Sequence, residues 1–246
     1  MASKSVSRNS EGNFVKTYWA WNGFDLPKES KENDSLGSHR VMNEAQANEE
    51  LTNLYIAHPK ILDADFDKRS VEVENLDNLD HIKDKISDFN FREIEETGKS
   101  LGRLLGDFHR NRLSHGDAHL ANFLYDDGDI IPFDFEFYSS NSPLSEMKDD
   151  IRLLESDART LCPETYETLI EGFHEGYRTE LTSLDEYSKK VNSSQYRDDL
   201  KEFVNDIVQE KNQVNPRYGF TRIMEEHGSE SRIECALNYI TNSTEN

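Results

Sequence analysis

Basic residues, cysteines and long apolar runs are all scarce in this 246-residue chain. Lysine and arginine number 28 against 49 aspartates and glutamates, a formal net charge of -21 at pH 7. So negative a surface repels phosphodiester backbones and anionic headgroups, which argues against direct nucleic-acid binding and against an anionic membrane as partner. Two cysteines, Cys162 and Cys235, cannot build a disulfide framework, and reduced thiols in a cytoplasmic protein are the expectation. No apolar run follows Met1, and none approaches the ~20 residues that a spanning helix needs, so the sequence predicts neither a leader nor a membrane span. The chain reads as soluble. Nothing in it bears on oligomeric state.

What is present is concentrated between Ser114 and Tyr138, S-H-G-D-A-H-L-A-N-F-L-Y-D-D-G-D-I-I-P-F-D-F-E-F-Y. Asp127-Gly128 stands between two apolar runs, Phe123 to Tyr125 and Ile130 to Phe133, the strongest local signal for a tight hairpin. Pairing of those runs would set Asn122 and Asp134 side by side, with Asp117 in the loop entering the hairpin. Two carboxylates and an amide gathered in this way are hard oxygen ligands. They suit Mg²⁺, which takes one or two protein carboxylates and completes its shell with water and phosphate. A rival reading puts His115, Asp117 and His119 on one face of a strand as transition-metal ligands of a metallohydrolase, although no second His/Asp cluster supplies the remaining ligands. The plainest reading, a polar loop before a surface hairpin, does not explain an acid closing an apolar strand at Asp134.

His115-Gly116-Asp117-x-His119-x-x-Asn122, followed by Asp134-Phe135-Glu136, resembles the catalytic segment of the protein-kinase-like superfamily. The wording is closest to the aminoglycoside phosphotransferase and choline kinase branch. The resemblance implies an α+β, two-lobed kinase-like fold using ATP and Mg²⁺. Asp117 would orient the acceptor hydroxyl, and Asn122 and Asp134 would hold the metal on the phosphates. It also gives roles to residues upstream. Lys16, on a strand read over Asn13 to Trp21, would contact the α/β-phosphates. Glu44, early in a helix read over His39 to Leu54, would pair with it. Backbone near Glu74 to Leu76, at the end of a strand from Ser70, would bind adenine. Residues 1–12 read as a frayed end, 13–76 as a reduced β-rich lobe and 77–246 as a helical lobe.

Downstream, Ile94, Leu101, Leu104, Leu105 and Phe108 recur at helical spacing and predict a helix from Arg92 to Arg112. Gly98, Gly102 and Gly106 on it predict close approach of a neighbour. His109 reads as a core residue. Asp149 and Asp150 open a helix over Glu146 to Leu161, where the macrodipole accounts for both more cheaply than a brace on the catalytic loop. Pro163 ends that helix, and Thr165 to Leu181 forms another. Tyr196 to Val208 and Glu230 to Ile240 read as two more. This part is similar in layout to RIO-like kinases, the kinase of the KEOPS complex and lipopolysaccharide Kdo kinases. One departure stands out: the glycine-rich phosphate cover has no counterpart, since Gly12 is the single glycine before Lys16. A small molecule, sugar or lipid headgroup is the expected acceptor. A serine/threonine protein substrate and a non-catalytic nucleotide-binding scaffold are the alternatives.

Overall fold

The computed structural model describes residues 4–18 and 35–182. Strands β1 (Lys4–Arg8) and β2 (Phe14–Tyr18) form a hairpin, and α1 (Ser35–Asn53), β3 (Ile61–Asp65) and β4 (Ser70–Val73) follow. The four strands make one antiparallel sheet in the order β1-β2-β4-β3. On β2 the side chains of Lys16 and Tyr18 turn inward, and Tyr18 joins Val41 of α1 with Val71 and Val73 of β4 in a small core. This period-2 alternation buries one face of the strand, as a half-covered sheet requires.

The expected fraying of residues 1–12 does not occur from Lys4 onward. β1 pairs with β2 from Lys4↔Tyr18 to Arg8↔Phe14, closed by a turn in which Gly12 adopts φ +87° and Asn9 Oδ1 accepts the Glu11 and Asn13 amides. The strand left no trace in the pattern because K-S-V-S-R is short, polar and mostly exposed.

After the four-stranded sheet come β5 (Asp80–His81) and α2 (Ile82–Lys85). Ile82 and Ile86 are fully buried in the main core. Next come α3 (Phe91–Arg110), β6 (Leu113–Ser114), β7 (Phe123–Asp126), β8 (Asp129–Pro132), β9 (Ser139–Ser140), α4 (Leu144–Ala158) and α5 (Pro163–Thr182). Asn90 caps α3 reciprocally with Glu93, which fixes where the helix starts. Pro163 opens α5 at a position where a missing N–H is harmless.

α3 and α5 lie parallel and nearly touch backbone to backbone. A β-carbon on Gly98 would fall 2.2 Å from the Leu169 carbonyl oxygen, and one on Gly102 2.1 Å from that of Phe173. From the other side, Gly172 and Gly176 would collide with the Glu95 and Lys99 carbonyls. The Leu101, Leu105, Phe173 and Tyr177 side chains fill the main core beside this contact. The helices read over 196–208 and 230–240 lie outside the described residues.

Candidate active site

The hairpin forms as its sequence demands. Asp127 and Gly128 take φ +47° and +105°, and the ladder runs from Asp126↔Asp129 to Phe123↔Pro132. The Phe133 amide then donates to the Asn122 carbonyl at 3.1 Å, so Asn122 lies opposite Phe133. Asp134 comes one residue later at φ +67°, a left-handed conformation that turns its side chain out of the strand path. Such backbone is uncommon for a non-glycine residue and clusters at functional positions.

The loop before the hairpin is held by an acid from α4. Asp150 is wholly buried and accepts the His115 amide at 2.7 Å and the Gly116 amide at 2.8 Å. The macrodipole account of this residue therefore fails: Asp150 braces the loop, whereas Asp149 pairs at the surface with Arg152. Gly116, at φ +79°, passes so close to Phe137 that a β-carbon would sit 2.1 Å from its carbonyl oxygen. His109 is buried among α3, α4 and α5, with Nδ1 at 2.7 Å from the Tyr177 hydroxyl and Nε2 at 3.3 Å from Asp150.

This loop is not a strand, so the rival metal-binding face does not form. His115 is buried between the rings of Phe123 and Phe135. Its Nε2 donates to the Phe133 carbonyl at 3.1 Å and its Nδ1 accepts the Asp117 amide at 3.3 Å, and burial holds its pKa below the usual histidine value. His119 instead reaches Asp117, with Nε2 at 2.9 Å from Oδ1. The Asn122 amide nitrogen donates to the Asp117 carbonyl at 2.8 Å and to Oδ2 at 2.9 Å. Burial pushes the Asp117 carboxyl upward, but the His119 hydrogen bond and charge outweigh it and hold the group below its ordinary range. Asp117 thus remains a carboxylate with a partner on each oxygen.

Lys16, Glu44 and Asp134 meet where the sheet faces the hairpin. Lys16 Nζ donates to Glu44 Oε1 at 2.7 Å and to Asp134 Oδ1 at 3.2 Å. Tyr18, two residues further along β2 on the same face, donates its hydroxyl to the same Glu44 oxygen at 2.6 Å. Burial alone would lower the Lys16 pKa, yet the two carboxylates outweigh it and raise it. Lys4 of β1 contacts the other oxygen, Asp134 Oδ2, and donates to Glu136 Oε1 at 3.1 Å. Against a burial penalty, Lys16 and Lys4 pull the Asp134 carboxyl down to about 2. Glu136 is also held by Arg40 Nη1 at 3.0 Å, and its carbonyl accepts from Asn43 Nδ2 at 2.9 Å. Ala47 and Leu51 of α1 pack with Phe108, Phe135 and Tyr138, which fixes Glu44 above the Asp134 segment. The sequence does not mark Lys4, Tyr18, Arg40 or Asn43 for this cluster, because each reaches it from a distant or unmarked position, and it gives Glu136 a place in the motif but no partners.

Glu74 lies just beyond β4. Its amide donates to the Lys60 carbonyl at 3.0 Å and its carboxylate accepts the Lys60 amide at 2.9 Å. The Leu76 carbonyl accepts from Leu79 at 3.0 Å in the turn leading to β5. This pair therefore marks the crossing between the sheet and the helical part.

No family model matches the chain. It is 24% identical over 162 residues to a probable bifunctional tRNA threonylcarbamoyladenosine biosynthesis protein of Methanosphaera stadtmanae, and 29% identical over 104 residues to a protein of that description from Methanospirillum hungatei. Those matches cover 65% and 42% of this chain but only 30% and 19% of the relatives, so the chain spans less than a third of their length. Among solved structures it resembles WaaP in complex with acyl carrier protein, with a TM-score of 0.51 at 15% identity over 75% of this chain and 80% of that one. The fold is the two-lobed protein-kinase-like fold, α+β in class, with a small sheet-based lobe and a mainly helical one. Among the described residues no helix is long and apolar enough to cross a membrane.

Proposed function

We propose that this protein is an ATP-dependent phosphotransferase that moves the γ-phosphoryl group to a hydroxyl of a small molecule, sugar or lipid headgroup. The observation that carries the reading is the position of Lys16, bound at once to Glu44 and to Asp134 in a buried cluster. A lysine fixed in this way places positive charge where a nucleotide's phosphates would lie. Asp134 and the Asn122 side-chain oxygen are the groups that would hold Mg²⁺. The Asn122 nitrogen is committed to Asp117, which leaves that oxygen for a cation. One carboxylate and one amide suit a cation that keeps water and phosphate oxygens in its shell. When bound, Mg²⁺ would neutralise charge on the transferring phosphate. Asp117, oriented by His119 and Asn122, would receive the acceptor's hydroxyl. Adenine would meet backbone between Glu74 and Leu76. The chemistry is mainly positioning and electrostatics, so Asp117→Asn is expected to cost on the order of 10²–10³ in rate.

The second reading, a KEOPS-type or RIO-like protein kinase, is favoured by the two relatives named for tRNA threonylcarbamoyladenosine biosynthesis. Radiolabelled γ-phosphate ATP offered to a panel of amines, sugars, lipids and proteins separates the readings by which acceptor gains label. Asp134→Ala serves as the control without a metal ligand. Labelling that survives Asp117→Asn unchanged would defeat the role given to Asp117. Mg–ATP binding without turnover on any acceptor would make the chain a scaffold.

A further inference from the structure

Lys4 and Lys16 divide the carboxylate of Asp134 between them, one ammonium on each oxygen. The same Lys4 ammonium reaches Glu136 Oε1 at 3.1 Å, so one cation already bridges two carboxylates, one of them the Asp134 given above to a divalent cation. Counting formal charges, Lys4, Lys16 and Arg40 balance Glu44, Asp134 and Glu136, three against three. A buried cluster that is already neutral offers a divalent cation little net attraction, and desolvating that ion is costly. Without the Lys4 ammonium the cluster carries one negative charge, and Asp134 Oδ2 faces no cation. Lys4 is well placed to leave. It lies at the end of the β1–β2 ladder, on an edge strand, and its side chain is 21% exposed.

We propose that Lys4 is a tethered counter-cation on Asp134 and Glu136, so that a divalent cation takes Asp134 as a ligand only by displacing it. The inference rests on the reading of this site as one for a divalent cation and nucleotide. It makes Lys4 docked on Asp134 and the metal-loaded site mutually exclusive, and strand β1 sets the metal concentration at which the site fills.

The test is Mn²⁺ binding to the full chain at low ionic strength, followed by the loss of the free-ion electron paramagnetic resonance signal. Lys4→Met and Lys4→Gln are each expected to bind Mn²⁺ about tenfold more tightly than the unaltered chain, the effect of removing one close competing charge. Lys4→Arg is expected to bind like the unaltered chain. Arg8→Gln, which removes a charge from the same strand where it pairs with Asp77, controls for long-range attraction and is expected to change little. Lys4→Met and Lys4→Gln binding no tighter than the unaltered chain, or Arg8→Gln matching their gain, overturns the proposal. A parallel measurement of Mg²⁺-dependent binding of a fluorescent ADP analogue separates the two levels. Loss of that binding in Asp134→Ala leaves the reading of the site standing even if Lys4 proves irrelevant. Its persistence in Asp134→Ala would remove both.

Discussion

The Asp150 carboxylate accepts the backbone amides of His115 and Gly116, one on each oxygen, at 2.7 and 2.8 Å. An acid on α4 thus shapes the loop that presents Asp117, without touching Asp117. Asp150→Ala would strand the buried His115 N–H and take the acceptor from the Gly116 N–H, and is expected to cost about 2 kcal/mol of stability. Asp150→Asn keeps one acceptor oxygen and is expected to cost less. Urea unfolding of the three proteins checks the order, and equal stability for all of them would show that the brace carries no energy.

Lys16 and Glu44 form a pair in which each side chain is less than a tenth exposed. Lys16→Met leaves the Glu44 carboxylate buried without its cation and is expected to destabilise by about 3 kcal/mol. Adding Glu44→Gln relieves that charge, so the double variant is expected to be more stable than the sum of the singles by about 2 kcal/mol. A double-mutant cycle from chemical denaturation measures this coupling directly. Simple additivity would contradict the pairing.

The α3–α5 contact predicts a sharp contrast between two glycines. Gly102→Ala would drive a methyl group to 2.1 Å from a backbone oxygen, and separating the helices is expected to cost about 3 kcal/mol. Gly128→Ala meets nothing within 4 Å, so only its positive φ is penalised, by about 1 kcal/mol. Thermal melts of both variants test the ranking, and a larger loss at Gly128 would refute it.

Buried His115 predicts a pH dependence of stability. Its Nδ1 accepts the Asp117 amide while its Nε2 donates to Phe133, so the neutral ring satisfies both contacts and a second ring proton would face an N–H group. The folded-state pKa lies below the unfolded value of 6.5. Below that pH the unfolded chain binds the extra proton first, so this contribution is full above pH 6.5 and declines as pH falls further. Unfolding free energies at pH 7.5 and 5.5 are expected to drop more for the unaltered chain than for His115→Asn. Equal drops would assign the dependence to other groups.

The sequence exposed the local features and hid the long-range ones. Asp127-Gly128 announced its hairpin because two positive φ angles leave few residue choices, and the apolar period of α3 marked a helix within a residue or two of its ends. The glycine spacing on α3 foretold a close neighbour, though not that α5 would run parallel and supply glycines of its own. Nothing in the sequence marks Lys4, because 130 positions separate it from Asp134 and its strand has no apolar alternation. The helix dipole is the cheaper reading of Asp150 from sequence, because its partners in the loop are backbone amides, which carry no sequence signature. Glu136 stood in the D-F-E motif, yet only the folded chain brings Lys4 and Arg40 onto its two oxygens.

The most direct test of the central claim is calorimetric titration of ATP into the full chain with and without Mg²⁺, repeated for Asp134→Ala. Saturable binding that requires Mg²⁺ and disappears in Asp134→Ala is the predicted result. Nucleotide binding indifferent to both the metal and that side chain, or no binding to the unaltered chain, would contradict it.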